Sequence, residues 1–456
     1  MNQYQEIINS QKEFFNSNAT KTVEFRKEQL KKFYRLLQEN EEKLNAAIYA
    51  DFKKSAFENY ATELSLLYSE LRHSTKMLKH WSRRKYVKTN LANIPGSSFI
   101  QPEPLGNTLI IGAWNYPFLL SLHPAVSALA AGNTVIVKPS ELSMNTSKVM
   151  ADLINNSFES NYFHVIEGGV KETTALLAEK FDKIFYTGSS MVGKIVMRAA
   201  SEHLTPVVLE LGGKSPAIVT ENASIKMTAK RIVWGKFLNG GQTCVAPDYI
   251  MVQKNVKQKL IEEIKKQILK IHGDNPQKSE AFVRIINPRH FKRLQQLMDR
   301  DKIIVGGQLD EQDLYIAPTL MDHITWDDAV MKEEIFGPLL PILEYENLED
   351  AITQIKAQEK PLALYLFTSS KKIRDQVFHE ISFGGGALND TIMHLANPNL
   401  PFGGVGNSGT GSYHGEYGFL AFSHNKSIIQ KTNWFEPFVK YAPYNKLKLS
   451  ILKMLM

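Results

Sequence analysis

The feature that most constrains the fold is a series of short apolar segments that alternate with helical segments from residue 108 onward. The segments of this first series are 108–111, 134–137, 162–166, 183–186 and 206–209. Short, mostly apolar runs separated by helices are typical of a parallel sheet that is buried on both faces. Because the crossovers between parallel strands are right-handed, the series predicts a doubly wound α/β domain.

A second series of apolar segments predicts a second α/β domain. Its segments, again separated by helical stretches, are 216–219, 249–252, 339–343 and 362–367. Ahead of the first series, residues 1–85 carry apolar side chains at helical spacing. Proline, glycine and asparagine interrupt the pattern at 86–103, and from residue 401 glycine and aromatic residues show no clear period. A chain of 456 residues is long enough for two or three domains.

Charge and composition exclude several classes of protein. The net charge is +7, but most Lys and Arg residues alternate with Asp and Glu, as on a solvated helix face. No recognition motif accompanies them, so we expect no nucleic-acid partner. The sequence shows no signal peptide, no apolar run of about 18 residues and a single cysteine, so we expect a cytoplasmic protein. The histidines lack ligand spacing, so we predict no metal.

Cys244 is the only cysteine of the chain, and it follows Gly240 and Gly241 closely. Glycines let the backbone turn tightly and let a ligand approach, so a substrate reaches such a thiol more easily than one on a core strand. Single cysteines are also commonly inert buried side chains. The local sequence leaves both interpretations open.

Polar residues follow three strands of the first series, at the edge of the sheet where ligands collect. Asn115, in Trp-Asn-Tyr-Pro at 114–117, has an amide that can donate to a developing oxyanion, or it caps a turn. Lys138 and Glu141 suit the hydroxyls of a ribose, or they cap the next helix. Residues 187–193 open a helix whose N–H groups suit a pyrophosphate, although they lack the G-x-G-x-x-G fingerprint.

Two further carboxylates are candidates for chemistry. Glu210, in Glu-Leu-Gly-Gly-Lys, lies between the two predicted domains, where it can act as a general base on water. Glu334 is close to an aromatic ring, Phe336, in the run Glu-Glu-Ile-Phe-Gly-Pro at 333–338. Read alone, that run is better explained as an acidic helix end before a Gly-Pro turn.

Taken together, seven short motifs resemble those of the aldehyde dehydrogenase superfamily in order and spacing over nearly the whole chain. They begin at residues 114, 138, 185, 210, 241, 333 and 401 and read WNYP, KPSE, FYTGS, ELGGKSP, GQTC, EEIFGP and PFGGVG. The short N-terminus and the run SGTGSYHG at 408–415 are similar to the class 3 branch, which includes fatty and aromatic aldehyde dehydrogenases.

The resemblance implies the aldehyde dehydrogenase fold, which is an α/β architecture with a Rossmann-like cofactor domain, an α/β catalytic domain and a small oligomerisation arm. The expected NAD(P)-binding domain is 1–85 with 104–209, and the expected catalytic domain is 210–400. The expected arm is 86–103 with 401–445, and a basic, apolar tail follows at 446–456. The arm implies a homodimer.

The resemblance also implies roles for the matching residues. Cys244 is the expected nucleophile, Glu210 the base that activates the deacylating water, and Asn115 a donor of the oxyanion hole. The expected contacts to NAD, with NADP also allowed, are Trp114, Lys138, Glu141, Gly188, Ser189, Gly193, Glu334 and Phe336. In this set Lys138 and Glu141 hold the adenosine ribose, Gly188 and Ser189 approach the pyrophosphate, Gly193 lets its helix pack closely, Glu334 binds the nicotinamide ribose, and Phe336 packs near the ring.

These roles describe oxidation of an aldehyde to a free carboxylic acid through a thioester on Cys244, whose sulfur is expected to ionise readily. Coenzyme A-acylating relatives must protect such a thioester from water, so Glu210 favours hydrolysis. Two other classes stay open. A thiol hydrolase needs no nicotinamide, and residues 138–141 with the helix start at Gly188 disfavour it. A non-enzymatic scaffold is expected if the thiol is inert.

The C-terminal region allows two interpretations. From Lys426 onward it contains six lysines and one acid, Glu436, with aromatic and apolar residues between them. Such a tail can lie on an anionic bilayer surface, or it packs on a neighbouring subunit or frays. Class 3 relatives that oxidise long-chain aldehydes are similar in having a C-terminal region that guards the substrate entrance. The expected substrates are therefore medium- to long-chain aliphatic aldehydes or aromatic ones.

Overall fold

Two large parallel sheets organise the structure, a computed structural model that describes residues 4–455. Met1 to Gln3 of the predicted first domain and Met456 of the predicted tail lie outside the described residues. The predicted α/β architecture is confirmed, because each segment of both apolar series contains a strand.

The helices of the first part of the chain surround the first sheet. They are α1 (Gln5–Asn16), α2 (Val23–Glu39), α3 (Glu41–Phe52), α4 (Ala56–Asn59), α5 (Ser65–Trp81), α6 (Pro117–Ala131), α7 (Met144–Asn155), α8 (Val170–Leu177) and α9 (Ser190–Ser201). A π-helical stretch, Tyr60–Leu64, joins α4 to α5. The helices of the second part are α10 (Ile225–Phe237), α11 (Lys254–His272), α12 (Pro288–Gln296), α13 (Ala329–Lys332), α14 (Leu348–Lys356), α15 (Lys371–Glu380), α16 (Gly415–Ala421) and α17 (Lys446–Leu455).

The strands follow the predicted series, with short additions. Those of the first part are β1 (Lys85–Val87), β2 (Gly96–Pro104), β3 (Asn107–Ile111), β4 (Thr134–Lys138), β5 (Phe163–Val165), β6 (Lys183–Thr187) and β7 (Val207–Glu210). Those of the second part are β8 (Pro216–Val219), β9 (Tyr249–Gln253), β10 (Ile303–Val305), β11 (Leu309–Asp310), β12 (Tyr315–Ile316), β13 (Thr319–Met321), β14 (Leu339–Tyr345), β15 (Ala363–Phe367), β16 (Gly385–Leu388), β17 (Gly409–Thr410) and β18 (Ser423–Lys431).

The first sheet has six strands in the order β17-β7-β6-β3-β4-β5, and all but β17 are parallel. The register pairs Ile111 with both Lys138 and Tyr186, and Thr187 with Glu210. The carboxyl ends of four neighbouring strands therefore meet at one edge of the sheet, where parallel α/β sheets bind their ligands.

The second sheet has seven strands in the order β10-β13-β14-β9-β8-β15-β16, and all but β10 are parallel. Its central strands are fully buried, as their continuous apolar sequences require. On the first sheet α6 is buried along its whole length, because it is apolar on every face and is covered by α2, α5 and α16.

Three strands form an antiparallel sheet in the order β1-β2-β18, and most of their residues lie in the segments expected to form the arm. β18 pairs with β2 from Ser423 opposite Pro104 to Lys431 opposite Gly96. The predicted arm, 86–103 with 401–445, includes two short elements that contact the first part of the chain. β17 pairs with β7 of the first sheet, and α16 packs on α5 and α6. The absence of a sequence period hid these short elements within a glycine-rich segment.

The predicted tail forms α17, whose apolar side chains are largely uncovered. Leu447, Leu449 and Met454 are exposed, and α17 contacts the short turn at 438–440. Asn445 caps the helix by accepting a hydrogen bond from the Lys448 N–H. None of the helices between residues 4 and 455 is long and apolar enough to cross a bilayer.

Candidate active site

Cys244 lies in a loop between α10 and β9 that two glycines shape. Gly240 and Gly241 have φ angles of 59° and 74°, in the left-handed region that favours glycine. A Cβ on Gly241 would lie 2.2 Å from the carbonyl oxygen of Gly337, so no larger residue fits there. The loop is also tied down after the thiol, where the Tyr365 hydroxyl donates to the Val245 carbonyl at 2.5 Å. The thiol is therefore held in a fixed position.

The Cys244 thiol lines an apolar cavity of about 560 Å³ and is itself half-buried. Burial, followed by the nearby carboxylates of Glu334 and Glu210, raises the pKa of Cys244 to about 12, although the N–H groups of Cys244 and Val245 oppose the shift. The expectation of a readily ionised sulfur is therefore wrong for the protein alone. Desolvation in the cavity disfavours the charged thiolate and keeps the proton on the sulfur.

Glu210 ends β7 on the wall of the same cavity. The residue is 2% exposed, and neither carboxylate oxygen has a hydrogen-bond partner in the part of the chain that the structure describes. Burial raises the pKa of Glu210 well above its ordinary value. A carboxylate in this state is a strong base with free acceptor positions, as activation of a water molecule requires.

Asn115 follows β3 and is hydrogen-bonded to the loop that carries the thiol. Its side-chain Nδ2 donates to the carbonyl of Gln242 at 3.0 Å, and its own carbonyl accepts from Nδ2 of Asn239 at 2.8 Å. An amide nitrogen has two hydrogens, so one remains free to donate to an oxyanion. The next residue adds a second link, because the Tyr116 hydroxyl lies 2.6 Å from Oγ1 of Thr243.

A buried ion pair supports the Asn115 turn from behind. Nζ of Lys54 lies 2.7 Å from Oε1 of Glu63, and both side chains are fully buried. Oε2 of Glu63 accepts from the N–H groups of Phe118 and Leu119 in the first turn of α6, at 2.9 and 3.2 Å. Lys54 also donates to the Asn115 carbonyl at 3.4 Å and lies 4.2 Å from the centre of the Tyr116 ring.

Several of these supporting residues were not predicted from the sequence. The alternating charges that include Lys54 and Glu58 predicted a solvated helix face, which is wrong for these two residues because both are buried. Glu63 and Asn239 had no assigned role. Glu58 accepts from the Asn239 N–H at 2.7 Å and thereby fixes the loop before the thiol. Glu58 lies in α4 and Glu63 lies within the π-helical stretch that follows it, so no regular α-helical spacing relates the two residues. The one usable signal is Asn239, which directly precedes the two glycines.

The residues expected to bind the adenosine half of a dinucleotide gather at the carboxyl edge of the first sheet. Lys138, at the end of β4, is buried, and its Nζ lies 3.9 Å from a carboxylate oxygen of the half-exposed Glu141. Ser189 caps α9, where its Oγ accepts from the Val192 N–H at 3.4 Å. A Cβ on Gly193 would lie 2.8 Å from the side chain of Leu211, so glycine lets α9 approach the residue that follows β7 closely. Gly188 connects β6 to this helix.

The residues expected at the nicotinamide half lie beside the thiol loop. Glu334 accepts a hydrogen bond from the Gly213 N–H, and burial together with the Asp248 carboxylate raises the pKa of Glu334 to about 8. The Phe336 ring packs edge-on against Trp114, with 5.3 Å between ring centres. The segment that carries Glu334 and Phe336 reaches the thiol loop through the Gly337 carbonyl, which lies against Gly241.

Cys244, Glu210 and the turn that carries Asn115 therefore meet at one cavity, and the expected cofactor residues extend from it along the first sheet. The cavity is lined mainly by apolar side chains, with Phe57, Trp234, Ile271 and Met393 exposed at its mouth. No group of three His, Cys, Asp or Glu side chains in the described ranges could hold a metal ion.

Comparison with known proteins agrees with this arrangement. The sequence profile of the aldehyde dehydrogenase family matches residues 1–428. The chain is 50% identical to 4,4'-diaponeurosporen-aldehyde dehydrogenase of Staphylococcus aureus, over 97% of each chain. It is 44% identical to aldehyde dehydrogenase family 3 member A2 of Mus musculus, over 96% of this chain and 91% of the relative.

A solved structure titled as the substrate-bound state of Staphylococcus aureus AldH has the same fold. It superposes with a TM-score of 0.98 at 49% identity, over 100% of this chain and 99% of that one. The predicted resemblance in sequence and the predicted fold are both confirmed, and with them the prediction that the protein is an oxidoreductase acting on aldehydes. The chain belongs to the aldehyde dehydrogenase family.

Proposed function

We propose that this enzyme oxidises medium- to long-chain aliphatic or aromatic aldehydes to free carboxylic acids through a thioester on Cys244. The observation that carries the proposal is the meeting of Cys244 and an unpartnered Glu210 on the wall of one apolar cavity. A nucleophile makes the thioester, and a base able to activate water removes it. An enzyme that must protect its thioester from water would gain nothing from such a base.

The first half of the reaction depends on Cys244 and Asn115. After the thiol has lost its proton, sulfur adds to the aldehyde carbon and the carbonyl oxygen becomes an oxyanion. The free Nδ2 hydrogen of Asn115 and the Cys244 N–H are the donors that stabilise this charge. Because the Asn115 amide is already oriented by the Gln242 carbonyl, little reorganisation accompanies the attack.

The second half depends on Glu210. Once the hydride has left the former aldehyde carbon, the acyl group is a thioester on Cys244. The Glu210 carboxylate accepts a proton from water, the resulting hydroxide attacks the acyl carbon, and the carbon–sulfur bond breaks to give the acid and the free thiolate. Its high pKa makes Glu210 a stronger base than an exposed carboxylate.

The residues of the sheet edge fit a nicotinamide dinucleotide. Buried Lys138 beside Glu141 suits ribose hydroxyls, and the N-terminus of α9 suits a pyrophosphate. The partly buried Glu334 carboxylate is available to a second ribose. When bound, the dinucleotide supplies the hydride acceptor and a positive charge on its ring. We propose NAD as the cofactor because of the Glu141 carboxylate, with NADP as the alternative that Lys138 tolerates.

The cavity supports medium- to long-chain aliphatic or aromatic aldehydes as the proposed substrates. Its size and its apolar lining suit a chain of several carbons better than acetaldehyde. The relative from Staphylococcus aureus is named for 4,4'-diaponeurosporen-aldehyde, which supports an aldehyde carried on a larger body.

A steady-state screen of unbranched aldehydes from two to sixteen carbons, with both dinucleotides, tests the proposal. We expect kcat/KM to rise with chain length to a maximum at eight carbons or more, and the released product to be the free acid. A maximum at two or three carbons, or a product that requires coenzyme A, would contradict it.

We further propose a cytoplasmic homodimer joined through the β1-β2-β18 sheet. Among the residues that the structure describes, β18 pairs with β2 alone, so its other edge can accept a second strand. Analytical ultracentrifugation checks the proposal. A monomer at micromolar concentration would contradict it.

The C-terminal segment 434–454 is proposed to contact anionic membranes peripherally. Trp434, Tyr444 and Leu447 are among its exposed apolar residues, with Lys446 and Lys453 between and beside them. In sedimentation with anionic vesicles, the full chain should bind more strongly than a chain that ends at Ala442. Equal binding of the two would contradict the contact.

A further inference from the structure

Three buried titratable side chains lie next to one another in the lining of the substrate cavity. Glu70 of α5, His123 of α6 and His414 before α16 all line the cavity and are all buried. Nε2 of His123 lies 3.6 Å from a carboxylate oxygen of Glu70, and the His123 and His414 rings lie 4.5 Å apart between centres. None of the three residues has a part in the thioester chemistry described above.

Within this group His123 has a ring nitrogen without a hydrogen-bond partner in the described residues. The two Glu70 oxygens accept from the Ser74 hydroxyl at 2.9 Å and from the Gly415 N–H at 3.3 Å. Nδ1 of His123, by contrast, has no partner among residues 4–455, although the side chain is 4% exposed. A buried polar atom without a partner is costly, so a group that enters the cavity and satisfies it gains affinity.

The chemistry of that group follows from the imidazole. Burial lowers the pKa of His123 to about 3, so the ring is neutral and has one donor and one acceptor nitrogen. Its Nε2 faces Glu70, which leaves Nδ1 for a ligand. A hydroxyl group can accept or donate, so it satisfies Nδ1 in either tautomer. A charged group would have to be desolvated in an otherwise apolar cavity, which disfavours a carboxylate or an amine.

We propose that Glu70, His123 and His414 form a subsite, at a distance from Cys244 along the substrate chain, that selects aldehydes carrying a hydroxyl group. The proposal rests on the proposed oxidation of apolar aldehydes in this cavity and narrows it to a class of substrate. The Tyr413 ring contacts both histidines and lines the same cavity as Cys244 and Glu210, so the subsite belongs to that cavity without including the reacting groups. The hydroxyl is therefore carried on the substrate chain rather than at its reacting carbon.

The test compares ω-hydroxyaldehydes with unbranched aldehydes in which a methyl group replaces the hydroxyl, for instance 10-hydroxydecanal against undecanal. The series runs from six to fourteen carbons, with saturating NAD. At the chain length that lets the hydroxyl reach His123, we expect a ratio of kcat/KM, hydroxyl over methyl, of about ten or more. Because a hydroxyl in an apolar cavity is otherwise disfavoured, the other lengths should give ratios below one.

Variants assign the effect to His123. In His123→Leu the ratio at the optimal length should fall about tenfold, and His123→Gln, which keeps a polar group, should restore much of it. The matched control is His272→Leu, because His272 also lines the cavity with unpartnered nitrogens but lies among aromatic rings without a carboxylate. Because kcat/KM is compared as a ratio of two substrates, any effect of a variant that is common to both cancels. Quenching of protein fluorescence by NADH confirms that each variant is folded.

The outcomes are distinct. A ratio below one at every length in the unaltered enzyme, or an equal ratio in His123→Leu, would overturn the subsite. Loss of the preference in His272→Leu alone would place the selection elsewhere and also overturn it. The unbranched aldehydes still report on the proposed oxidation, so failure of the subsite is distinguishable from failure of the proposed function.

Discussion

On the Asn115 side of the Cys244 loop the polar groups are extensively hydrogen-bonded, whereas on the Glu210 side the carboxylate has no partner. Asn115 is tied to Gln242 and Asn239, and behind it Lys54 and Glu63 form a fully buried ion pair. Glu210 has two free oxygens, and Oγ1 of Thr187, paired with Glu210 across the strands, also lacks a partner in the described residues. The difference separates two tasks. Donors for an oxyanion must be oriented before the reaction, whereas a base must keep its acceptor positions free.

The largest effect is expected from removing the unpartnered base. Glu210→Gln should lower steady-state kcat by about 10²–10⁴-fold while a burst of NADH close to one equivalent per active site persists, since only deacylation needs the base. Stopped-flow fluorescence measures both phases. Glu221→Gln, which alters an exposed carboxylate, serves as the control and should leave both phases intact. Loss of the burst in a folded Glu210→Gln enzyme would show that the residue acts before deacylation.

A somewhat smaller effect, of a different kind, is expected on the hydrogen-bonded side. Asn115→Ala should slow the burst and the steady state together, by about 10²–10³-fold, because the oxyanion precedes both. The same stopped-flow measurement with saturating aldehyde checks this, with the exposed Asn255→Ala as its control. A normal burst followed by slow turnover would contradict this prediction, because Asn115 would then act in deacylation.

Removing one member of the buried ion pair tests whether the support behind Asn115 is structural. Lys54→Met leaves Glu63 charged and unpaired in the interior, so we expect a loss of about 3–5 kcal/mol in the free energy of unfolding. The double variant with Glu63→Gln should recover part of it. Urea unfolding followed by tryptophan fluorescence measures both. Lys254→Met, which breaks an exposed pair with Glu346, is the control and should change stability little.

The smallest effect is a pH dependence that distinguishes the two sides. Burial raises the pKa of Glu210, and a base acts only when deprotonated, so deacylation should rise with pH through a range above that of an ordinary carboxylate. In Glu210→Gln the slow residual turnover should lose this dependence. Steady-state kcat measured from pH 5 to pH 9 checks it. If kcat of the wild-type enzyme does not change from pH 5 upward, Glu210 is already ionised at pH 5. That result would contradict a pKa raised by burial.

The contrast also explains what the sequence could predict. Cys244, Glu210 and Asn115 lie at strand ends or beside glycines, in motifs that resemble a known family, so their positions follow from local sequence. Lys54 and Glu63 meet Asn115 only through tertiary packing across more than fifty residues, and no local pattern contains that information. The ionisation of Cys244 was predicted wrongly for the same reason, because desolvation and the charges of Glu210 and Glu334 are properties of the assembled cavity.

The fold shows the same division between local and nonlocal information. Segments whose apolar pattern is continuous, such as β3, β4 and β9, formed strands at the predicted places. β18 and β17 have no such pattern. None of the residues of β18 is buried. β17 has only two residues, and its Gly409 lies against the backbone of Leu209. Strands that depend on a partner's backbone rather than on their own buried side chains are therefore missed.

The account depends on a thioester that forms on Cys244 and is hydrolysed with the help of Glu210. Its most direct test is the intact mass of Glu210→Gln, quenched in acid after mixing with undecanal and NAD, followed by peptide mapping. We predict one undecanoyl group per chain, on the peptide that contains Cys244, which is the only cysteine. A burst of NADH without an adduct, or an adduct on another residue, would contradict the account.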